Sequence, residues 1–204
     1  MPLRPIPANE YRRVRWRNGQ GWTREIAAGR MPIDGAAIDG RDWDWRLSIA
    51  EVEQDGPFSA FSGCDRVLVL LSGQGMRLEF ADAAPVELLP PHARVAFAGE
   101  QDVHCALLDG ATTDFNVIVQ RDRCAVQVLH RPLVGSMVFF AEPGVLWAIH
   151  LMAGRAALKT IDAAVHMDAG DTALIDNVDG ATPLRSMLDG GGDALLVRIE
   201  RRAC

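Results

Sequence analysis

The residues most able to do chemistry are concentrated in three short stretches. WRNGQGWTREIA (Trp16 to Ala27) sets two tryptophans, two arginines, an asparagine, a threonine and a glutamate side by side. DWDWRLSIAEV (Asp42 to Val52) and GPFSAFSGCDR (Gly56 to Arg66) follow. Side chains alternate across an extended strand. In WTREIA, Thr23 and Glu25 therefore share one face, and Trp22, Arg24 and Ile26 share the other. In WRLSIA, Arg46 and Ser48 stand together, opposite Trp45, Leu47 and Ile49. Two such polar faces turned inward would make a cavity suited to a carboxylate. A guanidinium neutralises the anion, while hydroxyl and amide groups supply oriented hydrogen bonds. Turned outward, they would be solvent faces carrying an Arg–Glu pair of little energetic worth. Phe58, Phe61 and Phe115, close to Ser59 and Asn116, provide the apolar wall that small-molecule pockets have. Asn18 lies in the Asn18-Gly19 dipeptide, which favours a turn leading into the strand. A buried Arg46 needs a counter-charge, so Glu25 or Asp65 should lie within ion-pair reach of it.

Other chemistries fit less well. The histidines are His92, His104, His130, His150 and His166, and no two are spaced i, i+2 or i, i+4. Neither a strand nor a helix would then bring two rings to one face, and no metal or other cofactor is expected. There is no G-x-S-x-G elbow. Cys64 has no histidine near it in sequence and reads as a structural thiol. NGQG lacks the Lys-Ser/Thr pair of a phosphate loop. An isomerase or hydrolase with Glu25 as general base is the alternative to a binding protein. It ranks second, because neighbouring arginines favour the carboxylate and make it a poorer proton acceptor.

The elements that must position these residues read as strands. Short Val/Ile/Leu-rich runs recur about every ten residues, broken by Gly, Pro or Asp, as in RVLVLLSGQGMRLEF, FNVIVQ, VLWAIHLMAG and DALLVRIE. That pattern predicts an all-β sandwich or barrel. No long stretch keeps a 3.6-residue apolar period, and a single helical turn is expected near Ala8 to Arg13. The chain also resembles itself at an offset of 188 − 108 = 80 residues: Leu108-Asp109-Gly110 matches Leu188-Asp189-Gly190. Phe115 to Val119 aligns with Leu195 to Ile199, and Val67 to Leu78 with Trp147 to Leu158, at the same offset. A duplicated β-unit would leave this trace. The fold class expected is all-β, with two β-barrel halves. The first half, with added N-terminal strands, would cover 1–135 and the second 136–204.

The totals agree with a globular protein. The chain has 204 residues, 49% of them hydrophobic, and a net charge of −6. No basic stripe marks it as a nucleic-acid binder. MPLRPIPANEYRRV has no apolar core of a signal peptide, and the apolar runs are too short to span a bilayer. The expectation is a cytoplasmic protein without nucleic-acid or membrane partners, with Cys64, Cys105, Cys124 and Cys204 as reduced thiols.

Taken together, WRNGQGWTREIA, DWDWRLSIAEVEQDGPFSAFSGCDR, LLSGQGMRLEF and DFNVIVQRDRC resemble the HutD/Ves family, most strongly over Trp16 to Cys124. The resemblance implies a bicupin, a cupin-type chain of two jelly-roll-like β-barrel halves, without the usual metal-binding histidines. It implies a role associated, in one branch, with governing histidine utilisation and, in another, with cold and stress responses. It singles out Trp16, Asn18, Thr23 and Glu25, then Arg46, Ser48, Phe58, Ser59, Phe61, Asp65 and Arg66, then Phe115, Asn116, Arg121 and Arg123. Gln20 stands where the family has the middle of three consecutive glycines. The function expected is binding of a small polar, carboxylate-bearing metabolite with a regulatory role. Urocanate, formiminoglutamate and formylglutamate are the candidates, with Asn18, Thr23, Glu25, Arg46, Ser48, Phe58, Ser59, Phe61, Asp65, Phe115 and Asn116 as the site. A homodimer or partner-binding module is a third reading, supported only by the tryptophan content.

Overall fold

The computed structural model describes residues 3–16, 18–31 and 42–202. These residues form sixteen strands and one 3-10 turn at Ala8–Glu10. The protein is all-β, as the ten-residue spacing of apolar runs predicts. The strands are β1 (Leu3–Ile6), β2 (Arg12–Arg15), β3 (Gly21–Gly29), β4 (Trp45–Val52), β5 (Gly56–Pro57), β6 (Cys64–Ser72), β7 (Met76–Phe80) and β8 (Ala83–Leu88). They continue with β9 (Arg94–Ala98), β10 (Val103–Leu107), β11 (Thr112–Gln120), β12 (Cys124–Ala141), β13 (Val145–Lys159), β14 (Ala164–Asp168), β15 (Thr172–Asn177) and β16 (Leu184–Arg201). Among the described residues, no helix is long and apolar enough to cross a membrane.

The chain divides into two compact units. One holds Arg12–Arg30 with Asp39–Asp122, and the other Met1–Tyr11 with Arg123–Cys204 and the segment Met31–Ile38, of which only Met31 is described. The Arg12–Asp122 unit contains a six-stranded antiparallel sheet in the order β2-β3-β4-β11-β6-β9 and a four-stranded one in the order β5-β10-β7-β8. Ala50, Val52, Leu68 and Leu70 from the larger sheet form one core with Met76, Leu78, Val103 and Cys105 from the smaller. The other face of β4, β6 and β11 is apolar too, with Leu47, Ile49, Val69, Phe115 and Val117 buried. Burial on both faces explains why VLVLL reads as an unbroken apolar run rather than an alternating one.

The second unit is one sheet in the order β1-β15-β13-β16-β12, with β14 added alongside β13. Its core draws from both ends of the long strands: Ile149 and Leu158 of β13, Leu188 and Leu196 of β16, Leu133 and Phe139 of β12. Strands this long enclose one core only by bending. A register shift between Leu151 and Ala153 supplies the bend, and Gly154 beside it adopts φ +86° against the facing Gly191 backbone, where a Cβ has no room. Among the described residues no sheet closes into a barrel, so the two-barrel arrangement is not shown.

The two segments that resemble each other at an offset of 80 occupy related places. β11 lies between β4 and β6, and β16 between β13 and β12. Phe115 pairs with Val69, and Leu195 with His150, one residue from the Ile149 that the offset predicts.

Cys64, Cys105 and Cys124 are buried thiols, and burial pushes Cys105 up to about 12, far from reactivity at neutral pH. Cys204 lies outside the described residues.

Candidate functional site

Antiparallel pairing arranges one face of the larger sheet into rows. Thr23, Ala50, Asp114 and Leu70 are aligned across β3, β4, β11 and β6. The next row is Glu25, Ser48, Asn116 and Leu68, and the one after it contains Arg46, Ile118 and Arg66. Ala50, Leu68 and Leu70 belong to the core between the two sheets. The same face thus passes from apolar at one end to strongly polar at the other.

A cavity of about 510 Å³ opens over the polar end. Thr23, Arg46, Ser48, Ala50, Arg66, Asp114 and Asn116 form its floor. Pro57, Phe58, Ser59 and Phe61 come from the segment that enters β6, and Arg15, Trp16 and Asn18 from the β2–β3 turn. Trp16 and Phe58 meet edge to face with ring centroids 6.5 Å apart, and the Trp16 indole N–H donates to Thr23 Oγ1 at 2.8 Å.

Asn18 to Trp22 form a structured wall. Gly19 has φ +73°, as the Asn-Gly signal predicts. Gln20, the departure from the glycine run, is integrated into it. Its backbone N–H donates to Asn18 Oδ1 at 3.1 Å, and its side-chain N–H to the Asp55 carbonyl at 2.7 Å.

Arg46 is positioned by Glu25, whose Oε2 lies 2.9 Å from Arg46 Nε. Arg12 also approaches Glu25, at 3.6 Å. Arg66 is 5% exposed and differs from Arg46 in its surroundings. It donates from Nη1 to the Ser59 carbonyl at 3.1 Å, and the Phe58, Phe61 and Phe97 rings surround its guanidinium at 5.6, 5.4 and 5.0 Å. Among the described residues it makes no ion pair, and burial lowers its pKa to about 10. Asp114 is wholly buried, and burial raises its carboxyl to about 7 against the opposing pull of Arg66.

Of the residues expected at the site, Asn18, Thr23, Arg46, Ser48, Phe58, Ser59, Phe61 and Asn116 line the cavity. Glu25 stands behind Arg46 as its counter-charge, and the register shift between Glu25 and Ala27 follows directly after it. Asp65 and Phe115 are outside the lining. Asp65 pairs with Arg121 at 2.6 Å rather than with Arg46, and Arg121 also bridges to Glu100 at 2.9 Å. Phe115 is buried on the face opposite Asn116, as adjacent strand residues must be. Arg15, Ala50, Pro57 and Asp114 are lining residues that the sequence reading did not include. Asp114 was detectable: it stands two residues before Asn116 on the same strand. Among the described residues, no group of three or more His, Cys, Asp or Glu is placed to hold a metal ion.

Comparison with known proteins agrees with these motifs. The HutD family model matches residues 8–196. A 21.2 kDa Pseudomonas putida protein encoded in the 3′ region of hutC is 43% identical over 127 residues, 61% of this chain and 63% of that one. Protein Ves of Citrobacter koseri is 37% identical over 127 residues, 62% of this chain and 60% of its own. The match thus spans less than two thirds of either curated relative. The solved structure of HutD from Pseudomonas fluorescens SBW25 superposes with a TM-score of 0.79 at 27% identity, covering 98% of this chain and 100% of that one. A cupin 2 conserved barrel domain protein from Leptotrichia buccalis shares the fold at a TM-score of 0.59 and 6% identity, over 98% and 96% of the two chains. With the family model covering nearly its whole length, this chain belongs to the HutD family.

Proposed function

We propose that this protein binds a small carboxylate-bearing metabolite in the cavity on the β3-β4-β11-β6 face and through it regulates a catabolic pathway. The observation that carries this reading is Arg66. A buried guanidinium without an ion-pair partner is costly to desolvate, and a ligand anion would offset that cost. Arg46, held by Glu25, adds a second cation from the neighbouring row, and Ser48 and Asn18 add hydrogen-bonding groups. The names of the Pseudomonas relatives support histidine utilisation as the pathway, which makes urocanate, formiminoglutamate and formylglutamate the ligands to try first. The nearly matching registers of β11 and β16 support reading the chain as two cupin-type halves, with the site in the first.

Binding ranks ahead of catalysis because Glu25, the candidate base, is engaged by Arg46 and Arg12 and lies outside the lining. Titration calorimetry with the three acids tests the proposal. At least one should bind, and Arg66→Met should weaken it by about 2–5 kcal/mol, roughly thirtyfold or more in Kd. Equal binding by a folded Arg66→Met variant, or no binding of any acid to the wild type, would remove the basis for the proposal.

A further inference from the structure

The cavity floor also holds acceptors that no donor among the described residues reaches. Both carboxylate oxygens of Asp114 and the side-chain oxygen of Asn116 are buried, and none receives a hydrogen bond among the described residues. The two residues are i and i+2 on β11, so they share a face, and both line the cavity. Asp114 is 0% exposed and, among the described residues, is the only acidic one in the lining.

Their neighbours explain why they lack donors. Across from Asp114 are Ala50 on one side and Leu70 on the other. Thr23 lies beyond Ala50, one strand further from β11, and its hydroxyl meets the Trp16 indole N–H rather than Asp114. Arg46 is engaged by Glu25, and Arg66 donates to the Ser59 carbonyl and forms no ion pair with Asp114. A buried acceptor without a donor is unfavourable, and a buried carboxylate more so. Burial keeps the Asp114 carboxyl up to about 7, so it is poised to ionise when a cationic donor arrives.

The arrangement is two-ended. The Arg46–Ile118–Arg66 row and the Asp114 row are four residues apart along β11, roughly 13 Å of backbone, and the Arg66 side chain spans part of that distance, since its guanidinium pulls against the rise of the Asp114 carboxyl. We propose that the ligand is an ampholyte, an acid whose carboxylate faces Arg46 and Arg66 and whose N–H group donates to Asp114 and Asn116. Amidinium, imidazole and ammonium groups all have the required donors. A plain dicarboxylate would set a second anion against Asp114 and leave the Asn116 oxygen without a donor. The inference rests on the carboxylate-binding reading and adds the chemistry of the other end of the ligand.

Matched pairs of acids test it by calorimetry. Urocanate and trans-cinnamate carry the same acrylate on a ring with and without nitrogen. Formiminoglutamate and glutarate share two carboxylates and differ in the amidine. The nitrogen-bearing member of at least one pair should bind roughly tenfold or more tighter to the wild type. Asp114→Asn, with its fold checked by circular dichroism, should shrink that preference while still binding the nitrogen-free acid. Equal affinities within both pairs would overturn the ampholyte assignment and leave carboxylate binding standing. Binding of none of the four would overturn both. A preference that survives in folded Asp114→Asn would overturn the role of Asp114. The wild-type comparison decides the ligand class even where the variant does not fold.

Discussion

Asp114 carries a consequence for stability that is separate from any ligand. Its folded carboxyl is raised from 3.8 to about 7, with burial as the main cause. Between those two values the native state holds a proton that the unfolded chain has released. The stability associated with that proton is fully present below about pH 4 and is lost as pH rises through about 7. Asp114→Asn cannot ionise and should escape the loss. Relative to wild type, the variant should gain stability between pH 4.5 and 8.5, on the order of several kcal/mol. Urea unfolding of both proteins across that range measures the difference. A difference that does not change with pH would mean that Asp114 is better solvated or better paired than the fold indicates. The residue was within reach of the sequence, because DFN contains the i, i+2 pair Asp114 and Asn116. Phe115, between them, is the neighbour that draws the eye in the sequence, but adjacent strand residues cannot share a face. Asp65 lies outside the lining for a related reason: it alternates with Arg66, so only one of the two can reach the cavity, and Arg66 does.

At the scale of elements, the β2–β3 turn depends on close packing at Gly21. An ideal Cβ there would stand 3.2 Å from two carbons of the Trp16 ring and closer still to the Glu51 carbonyl oxygen. Gly21→Ala should therefore push Trp16 outward or part β3 from β4. An overpacking cost of about 1–3 kcal/mol is expected in denaturant unfolding, together with weaker ligand binding. A variant with unaltered stability and affinity would show that the wall yields freely. The positions of β3, β4, β6 and β11 were legible because each is a run of strand-forming residues bounded by Gly, Pro or Asp. Their order in the sheet was not. β11 enters between β4 and β6, and this depends on pairing across some 40 to 70 residues, which a local pattern does not encode. The length of β12, β13 and β16 was hidden as well. Their internal glycines read as strand breaks, whereas the structure uses Gly154 as a bend within a continuous strand.

At the scale of the whole molecule, the chain's first strand belongs with its last third. β1 pairs with β15, setting Leu3 opposite Ile175. The Tyr11 hydroxyl donates to the Gly170 carbonyl at 2.7 Å and sits 2.7 Å from Thr172 Oγ1, which is 3.1 Å from His150 Nδ1. Ala8 N–H donates to Asp171 Oδ1 at 2.8 Å. Removing residues 1–11 would leave the outer edge of β15 unpaired and strip Leu3 from its core cluster. Hydrogen exchange should then quicken at Thr172 to Ile175 more than at Asp114 to Ile118. Equal protection in the two places would show that β1 is only an ornament on the sheet. The repeat hinted at two related units, but the crossing of β1 left no local trace in the sequence, since LRPI is too short to announce a partner. That crossing also sets a schedule. As the chain leaves the ribosome, β1 appears about 170 residues ahead of the strand it joins. At cellular synthesis speed that is roughly 10–30 s, during which Arg12 to Asp122 can complete its own sheets. The Arg12 to Asp122 sheets can thus be assembled while β1 still waits for its partner, and β1 is among the last strands to find its place.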